Sequence, residues 1–373
     1  MRTLVFRDGF DTIGIMRRAT LATIAAAAGV SLPTVSKVLN GKDDVGAETR
    51  ARVRRLLDEY DYVPVGARRA ASGALVDLVF TALESPWAVE VIRGVVDSGL
   101  HVVVSSTGLT GAGAGQGGSG QSGSGQGGSG RGGSGQGGAG APRESWAARL
   151  VEARRAGALV VTSRLTQADR RLLAASRVPV VVIDPVDLPP PDVPSVGAAN
   201  WAGGLAATEH LLELGHRRIA AIGGPPGLLC SRARVDGYRA ALDRAGIGVD
   251  PALVRHGDFR HGGGMRAATG LLALPDPPTA VFAGNDEQAL GVIEAARVAG
   301  LPVPEALSVV GFDDLPVAVW SSPALTTVRQ PLAEMGRHAG RMLADLVAGR
   351  PLGAQRVELA TELVVRASTG ARR

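Results

Sequence analysis

Cysteine is almost absent from this chain: Cys230 is the single one among 373 residues. An internal disulfide is therefore excluded, which fits a reducing compartment. Aromatic side chains are scarce at 3%, so each Trp or Phe outside an apolar run invites a question. No charge-free apolar run approaches the ~18 residues a membrane span requires, and no membrane partner is expected. The chain's start lacks both a continuous apolar stretch and a small-residue cleavage site, so no secretory signal is read and a cytoplasmic protein is expected. Catalytic patterns are missing too. There is no GxSxG, HExxH or phosphate loop, the six His are scattered, and Cys230 has no evident base partner. Neither an enzyme, a cofactor nor a metal site is expected.

What is present is unevenly spread. Apolar residues make up 45% of the chain, enough for a sizeable core, and the formal net charge is +5. Residues 1–73 hold twelve Lys/Arg against eight Asp/Glu, so most of the excess sits in the first fifth. A basic end on a near-neutral body points to a polyanionic partner for that end. Residues 1–18 fit no pattern and read either as an arm or as a mis-assigned start, with Met16 as the alternative first residue. Residues 108–141 repeat GQGGSG and its variants, and 18 of those 34 residues are Gly. Such a stretch buries no apolar area and is expected to be a disordered surface insertion. Its formal GxGxxG at Gly113–Gly118 precedes no helix and carries no nucleotide reading.

Residues 19–63 are expected to form a small all-α domain. Thr20 can cap LATIAAAA and Gly29 can end it. Ser31 can cap LPTVSKVLN, with Pro33 tolerated in its first turn. The third helix, AETRARVRRLLDEY, places Val53, Leu56, Leu57 and Tyr60 at helical spacing. Ala28, Val30, Val35 and Val38 would join the first two helices and leave the outer face of the second free. This is a helix-turn-helix, whose second helix enters a major groove. Lys37 can donate to guanine O6 or N7. Thr34 and Ser36 can donate to phosphates, which position the helix without reading sequence. From Val76 onward, short Val/Ile-rich runs such as LVDLVF, VPVVVID, TAVFAGN and LSVVGFDD alternate with helical stretches. These are buried parallel strands in doubly wound α/β halves.

The stretches LATIAAAAGVSLPTVSKVLNG, ETRARVRRLLDEYDYVP, GGLAATEHLLELGHRRIAAIGG, SRARVDGYRAAL, PTAVFAGNDEQALG and PALTTVRQPLAEMG resemble the lac-repressor (LacI/GalR) family of bacterial transcription regulators. The resemblance covers about 20–107 and 142–370. It implies a helix-turn-helix head, a hinge at 64–75, and a periplasmic-binding-protein-like body at 76–373 made of two doubly wound subdomains. Subdomain 1 is expected at about 76–184 and 312–345, and subdomain 2 at about 185–311 and 346–373. It also implies a homodimer or tetramer on a near-palindromic double-stranded operator. In the family's reading pattern Leu32, Pro33 and Lys37 face bases and Asn40 a phosphate or groove. Thr20 and Ser31 complete the expected DNA-facing set. The hinge departs from the pattern: YVPVGARRAASG has Ala71 where the family has a wedging Leu, and Arg68 and Arg69 are left to lie in the minor groove. Less DNA bending is expected, since Ala is too small to unstack a base step.

For the body, the resemblance assigns Arg234 and Asp286 to a small effector. A guanidinium fork can bridge two hydroxyls or a carboxylate. Phe259 matches a stacking aromatic of the family. Trp87, Trp201, Glu84, Asp184 and Asn200 are further candidates, because ligands of open α/β sheets sit at the carboxyl ends of strands. Aromatic faces beside Asp, Asn and Arg suit a neutral sugar ring, with a nucleobase or another co-effector as alternatives. The expected function is a repressor released from its operator by a small sugar. An activator, or a ligand-binding protein with an impaired head, is the rival.

Overall fold

The computed structural model describes residues 21–39, 45–59, 75–81, 83–107 and 145–372. The expectations for residues 1–18, Thr20, Asn40, Tyr60, Arg68, Arg69, Ala71 and the insertion at 108–141 lie outside them. The chain divides into one unit within residues 1–70 and a second within 71–373. No helix among the described residues is long and apolar enough to cross a membrane.

The first unit holds α1 (Leu21–Ala28), α2 (Leu32–Leu39) and α3 (Ala47–Glu59). Two eight-residue helices are too short to persist alone, so packing must hold them. Ile24, Ala25, Ala28, Val35, Val38, Val45 and Val53 form one buried cluster, with Val30, Leu56 and Leu57 against it. Gly29 adopts φ +63°. The N–H of Val30 bonds Ala25 O at 3.0 Å and that of Gly29 bonds Ala26 O at 3.2 Å. This paired closure ends α1 and needs a residue at ease in the left-handed region.

The second unit holds two six-stranded sheets. In the first, β1 (Val76–Phe80), β2 (Val102–Ser106), β3 (Ala158–Val161), β4 (Val180–Ile183), β5 (Ser195–Ala198) and β11 (Arg356–Leu359) lie in the order β11-β5-β4-β3-β1-β2. All its pairings are parallel. In the second, β6 (Ile219–Gly223), β7 (Val254–His256), β8 (Ala280–Ala283), β9 (Ser308–Asp313), β10 (Thr326–Arg329) and β12 (Glu362–Val364) lie in the order β12-β10-β9-β8-β6-β7, with β12 antiparallel to β10. Strands such as β3, β6 and β8 are buried at every position. Helices on both faces demand that, and it is why these runs do not alternate.

One face of the first sheet carries α4 (Pro86–Asp97) and α12 (Leu332–Val347), whose Val91, Val95, Met335 and Leu343 join Leu78, Leu159 and Ile183 in its core. Gly94 leaves no room for a Cβ against the Ala333 backbone, so these two helices meet almost backbone to backbone. The second sheet is covered by α7 (Asn200–Glu213), α8 (Leu229–Arg244), α9 (His261–Leu272) and α10 (Asp286–Val298). Gly204 against Arg234 and Gly264 against Gln288 repeat the close approach there. On the far side of the first sheet lie α5 (Trp146–Glu152) and α6 (Gln167–Ala175), and α11 (Pro316–Trp320) follows β9.

The sheet pairings correct the subdomain bounds expected from sequence. β5, expected in subdomain 2, belongs to the first sheet, whereas β10, expected in subdomain 1, belongs to the second. α12 returns to the first sheet, and the C-terminal stretch is split, β11 going to the first and β12 to the second. The chain thus passes between subdomains at 199, at 330–331 and at 360–361. An apolar run shows that a strand is buried but not which sheet receives it, so the chain order alone misplaced these segments.

Candidate functional site

On the head, the outer face of α2 is built by exclusion. Val35 and Val38 are turned into the core, which leaves the residues between them outward. Leu32 is 47% exposed, and Ser31, Pro33 and Lys37 are exposed as well. Thr34 and Ser36 are half-buried. The Thr34 N–H donates to Ser31 Oγ at 3.4 Å, and the Ser31 and Thr34 hydroxyls lie 2.9 Å apart. Ser31 therefore caps α2, and Thr34 shares its hydroxyl with that cap. An exposed leucine in the first turn and a cation in the last turn of one short helix suit a groove that offers thymine methyls and guanine acceptors.

In the body, the carboxyl ends of β4, β6, β8 and β9 converge with the starts of α7, α8 and α10. Arg234 lies inside this convergence, 4% exposed. Its Nε donates to Asn200 Oδ1 at 2.8 Å and its Nη1 to Gly284 O at 2.5 Å. The same Nη1 stands 3.5 Å from Asp313 Oδ1. The guanidinium also lies over the Phe312 ring, 3.8 Å from its centre. Gln330 Nε2 donates to Asp313 Oδ1 at 2.6 Å. Two groups here are unsatisfied: Gln330 Oε1 and the Ser231 hydroxyl are buried with no hydrogen-bond partner among the described residues. Such atoms carry a desolvation cost that a polar ligand would remove.

Asp184 stands at the end of β4 with φ +47° and is 6% exposed. Among the described residues its carboxylate accepts no hydrogen bond. Burial raises its pKa, and the field of Arg234 opposes that shift. Asp313 is raised to about 7, chiefly by burial, again against Arg234. Cys230 beside them is inert, its thiol pushed up to about 12 by burial.

Asp286, expected to accept from a ligand, is corrected. It is fully buried, and its two oxygens are taken by the Leu315 N–H at 2.8 Å and the Thr327 hydroxyl at 2.5 Å. It ties α10 to the β9–α11 loop and to β10. Burial, and then the charge of Asp313, raise its pKa well above the usual carboxylate range. The group that faces Arg234 is Asp313, which the sequence reading passed over. The doubled carboxylate of GFDD at the end of a strand was the available signal. Asn285 was also missed. It caps α10, accepting from the Gln288 N–H at 2.9 Å, and donates through Nδ2 to Phe259 O at 2.9 Å.

The remaining candidates divide. Asn200 is buried against Arg234, as described. Phe259, at φ +62°, rests its ring on Gly224 with the Arg234 guanidinium 5.6 Å from its centre. Trp87 packs on the core of the first sheet, as a structural residue would. Trp201 is exposed on the first turn of α7. Glu84 is already paired: Arg260 Nη2 donates to it at 2.6 Å. The neighbouring Ser85 hydroxyl donates to Glu287 Oε1 at 2.8 Å. Both contacts run from the first subdomain to the second, so they latch the mouth of the cleft. A third tie joins the Leu229 N–H, at the uncapped start of α8, to Val186 O at 2.8 Å. Among the described residues no cluster of His, Cys, Asp and Glu is arranged to hold a metal.

The arrangement so far is a helix-turn-helix face on one unit and a buried polar cleft in the other. Residues 20–65 match the family described as bacterial regulatory proteins, lacI family, and residues 208–369 match a periplasmic-binding-protein-like domain. The HTH-type transcriptional regulator CelR of Thermobifida fusca is 34% identical, over 94% of this chain and 98% of that protein. The structure of a transcriptional regulator CelR–cellobiose complex aligns with a TM-score of 0.65 at 33% identity, covering 94% of this chain and all of that one. The lac repressor dimer bound to operator and the anti-inducer ONPF aligns with a TM-score of 0.63 at 26% identity, covering 95% of this chain and all of that one.

Proposed function

This chain belongs to the lacI family of bacterial regulatory proteins, and we propose that it is a cytoplasmic repressor released from a near-palindromic operator by a neutral sugar. It is a DNA-binding transcription regulator, not an enzyme. The observation that carries the effector reading is the cleft around Arg234. A guanidinium, two carboxylates and two amides are gathered between the subdomains, and some of their hydrogen-bonding capacity is left unused. Hydroxyls arranged around a ring engage such a set bidentately. CelR, with cellobiose in its structure, supports the same class of ligand.

On the DNA side, Leu32, Pro33 and Lys37 face the major groove, with Lys37 the hydrogen-bonding reader. Two copies of the chain present two heads to two half-sites. Sugar closes the cleft and favours the arrangement that does not fit the operator, because only differential affinity for two states shifts their equilibrium. The test is selection of genomic fragments by the purified protein, with and without a sugar pool. A near-palindromic site released by sugar supports the proposal, and a site that ignores every sugar rejects the effector half of it. Replacing Lys37 with Ala is expected to weaken operator binding by about 1–3 kcal/mol. Uniform weakening on all DNA sequences would instead make Lys37 a phosphate contact.

A further inference from the structure

Beside the Arg234 cluster lies a chamber of about 320 Å³ that the fold does not fill. Alternation along two strands creates it. On β5 and β11, Val196, Ala198, Val357 and Leu359 point into the core under α4 and α12. Their neighbours Ser195, Gly197, Arg356 and Glu358 line the chamber, and Ala198 and Val357 also reach its wall. Leu188 and Leu229 supply apolar walls. A Cβ built on Gly197 meets nothing within 4 Å, so the missing side chain itself keeps the space open.

The chamber borders the effector cleft at two residues. Asn200 turns its Oδ1 to Arg234 while it also lines the chamber. Asp184 lines the chamber with a carboxylate that has no hydrogen-bond partner among the described residues, although the residue is more than nine-tenths buried. Ser195 is likewise buried and its hydroxyl has no such partner. Both groups line the chamber and can bond what enters it. Apolar walls with a few convergent polar groups, at the lower end of the usual range of about 300–1,000 Å³, describe a small-molecule site.

We infer that this chamber is a second subsite of the cleft, taking the second ring of a neutral disaccharide whose first ring lies against Arg234. Asp184 stands at the junction and accepts a hydroxyl from the disaccharide. The inference rests on the sugar reading above, and it adds ligand length to it. Gly197 is the residue that sets that length.

Isothermal titration of the full chain with cellobiose, maltose and glucose tests it. Wild type is expected to bind one of the disaccharides at least tenfold more tightly than glucose. Gly197→Val is expected to lower the disaccharide affinity at least tenfold, hold glucose within twofold and leave Tm unchanged. Should that variant unfold, Leu188→Trp fills the chamber from an exposed loop, with the same expected pattern. Unchanged disaccharide affinity in the filled variant overturns the subsite. So does wild type binding glucose as tightly as the disaccharides, and in both cases the sugar reading survives. Binding of none of the three sugars overturns the subsite, and the sugar reading falls with it only if the operator complex also ignores every sugar of the pool.

Discussion

The two walls of the cleft are built differently. On the second subdomain, Arg234 is fixed by Gly284 O, Asp313 and the Phe312 ring, and Asn285 is fixed by Gln288 and Phe259. That wall is pre-arranged from its own residues. On the first subdomain, Asp184 accepts no hydrogen bond among the described residues, Glu84 finds its donor across the gap on Arg260, and the Ser85 hydroxyl, which accepts from the Trp87 N–H, donates across the gap to Glu287. This wall completes its hydrogen bonding through the opposite wall or through a ligand. The second wall supplies recognition, with the Ser231 hydroxyl and Gln330 Oε1 still unpaired beside Arg234 among the described residues, and the first makes closure depend on what lies between.

The comparison breaks most visibly at Arg234. Arg234→Ala strips Asp313 of its buried cation, and the expected cost is about 3–5 kcal/mol, read by denaturant unfolding, together with loss of sugar binding. A loss below 1 kcal/mol would mean that the rigid wall does not depend on this residue.

The next effect is on pH dependence. Asp286 and Asp313 both hold their protons more tightly folded than unfolded. Stability from these groups is therefore full below the unfolded carboxyl value of about 3.9 and is lost as pH rises through the folded value, about 7 for Asp313. The Tm of wild type is expected to fall more steeply between pH 5 and 8 than that of Asp286→Asn, which removes one acid and the like charge beside the other. Parallel curves would count against the assignment.

Asp184→Asn sharpens the contrast, because the two readouts separate. Asn tolerates the left-handed backbone, and the charge it replaces is buried without a hydrogen-bond partner. Tm is expected to hold or rise while sugar affinity falls at least tenfold. A variant that loses stability instead would show that Asp184 is held as firmly as Asp313. The smallest effect belongs to Glu84→Ala. Glu84 and Arg260 are solvent-exposed, and an exposed pair contributes about 1 kcal/mol or less. The expected change is faster sugar release in stopped flow at nearly constant Tm.

The head was legible in the sequence because its signals are local. Gly29, Ser31 and the Val35/Val38 spacing each act within one turn of helix, and the structure shows each where the chain order places it. Strand–helix alternation was legible for the same reason. The cleft was harder. Asn285 and Asp286 are adjacent in sequence, but the first is the cap of α10 and the second its opening residue, so their side chains diverge. One reaches Phe259 and the other turns to Thr327 and Leu315. That divergence follows from where β9, β10 and the β9–α11 loop come to rest, tens of residues later. The sheet membership of β5, β10 and β11 is non-local in the same way, and so was misassigned.

The three passages between the subdomains also govern how the protein is made. β5 receives its outer neighbour β11 only after some 150 further residues have been synthesised. Neither half of the body is therefore a contiguous stretch that a ribosome can release and fold in turn. The head can take shape early, while the sensor that follows it in the chain stays open at its edge until the chain is nearly finished. A truncated translation product would carry the reader of DNA without the part that tells it to let go.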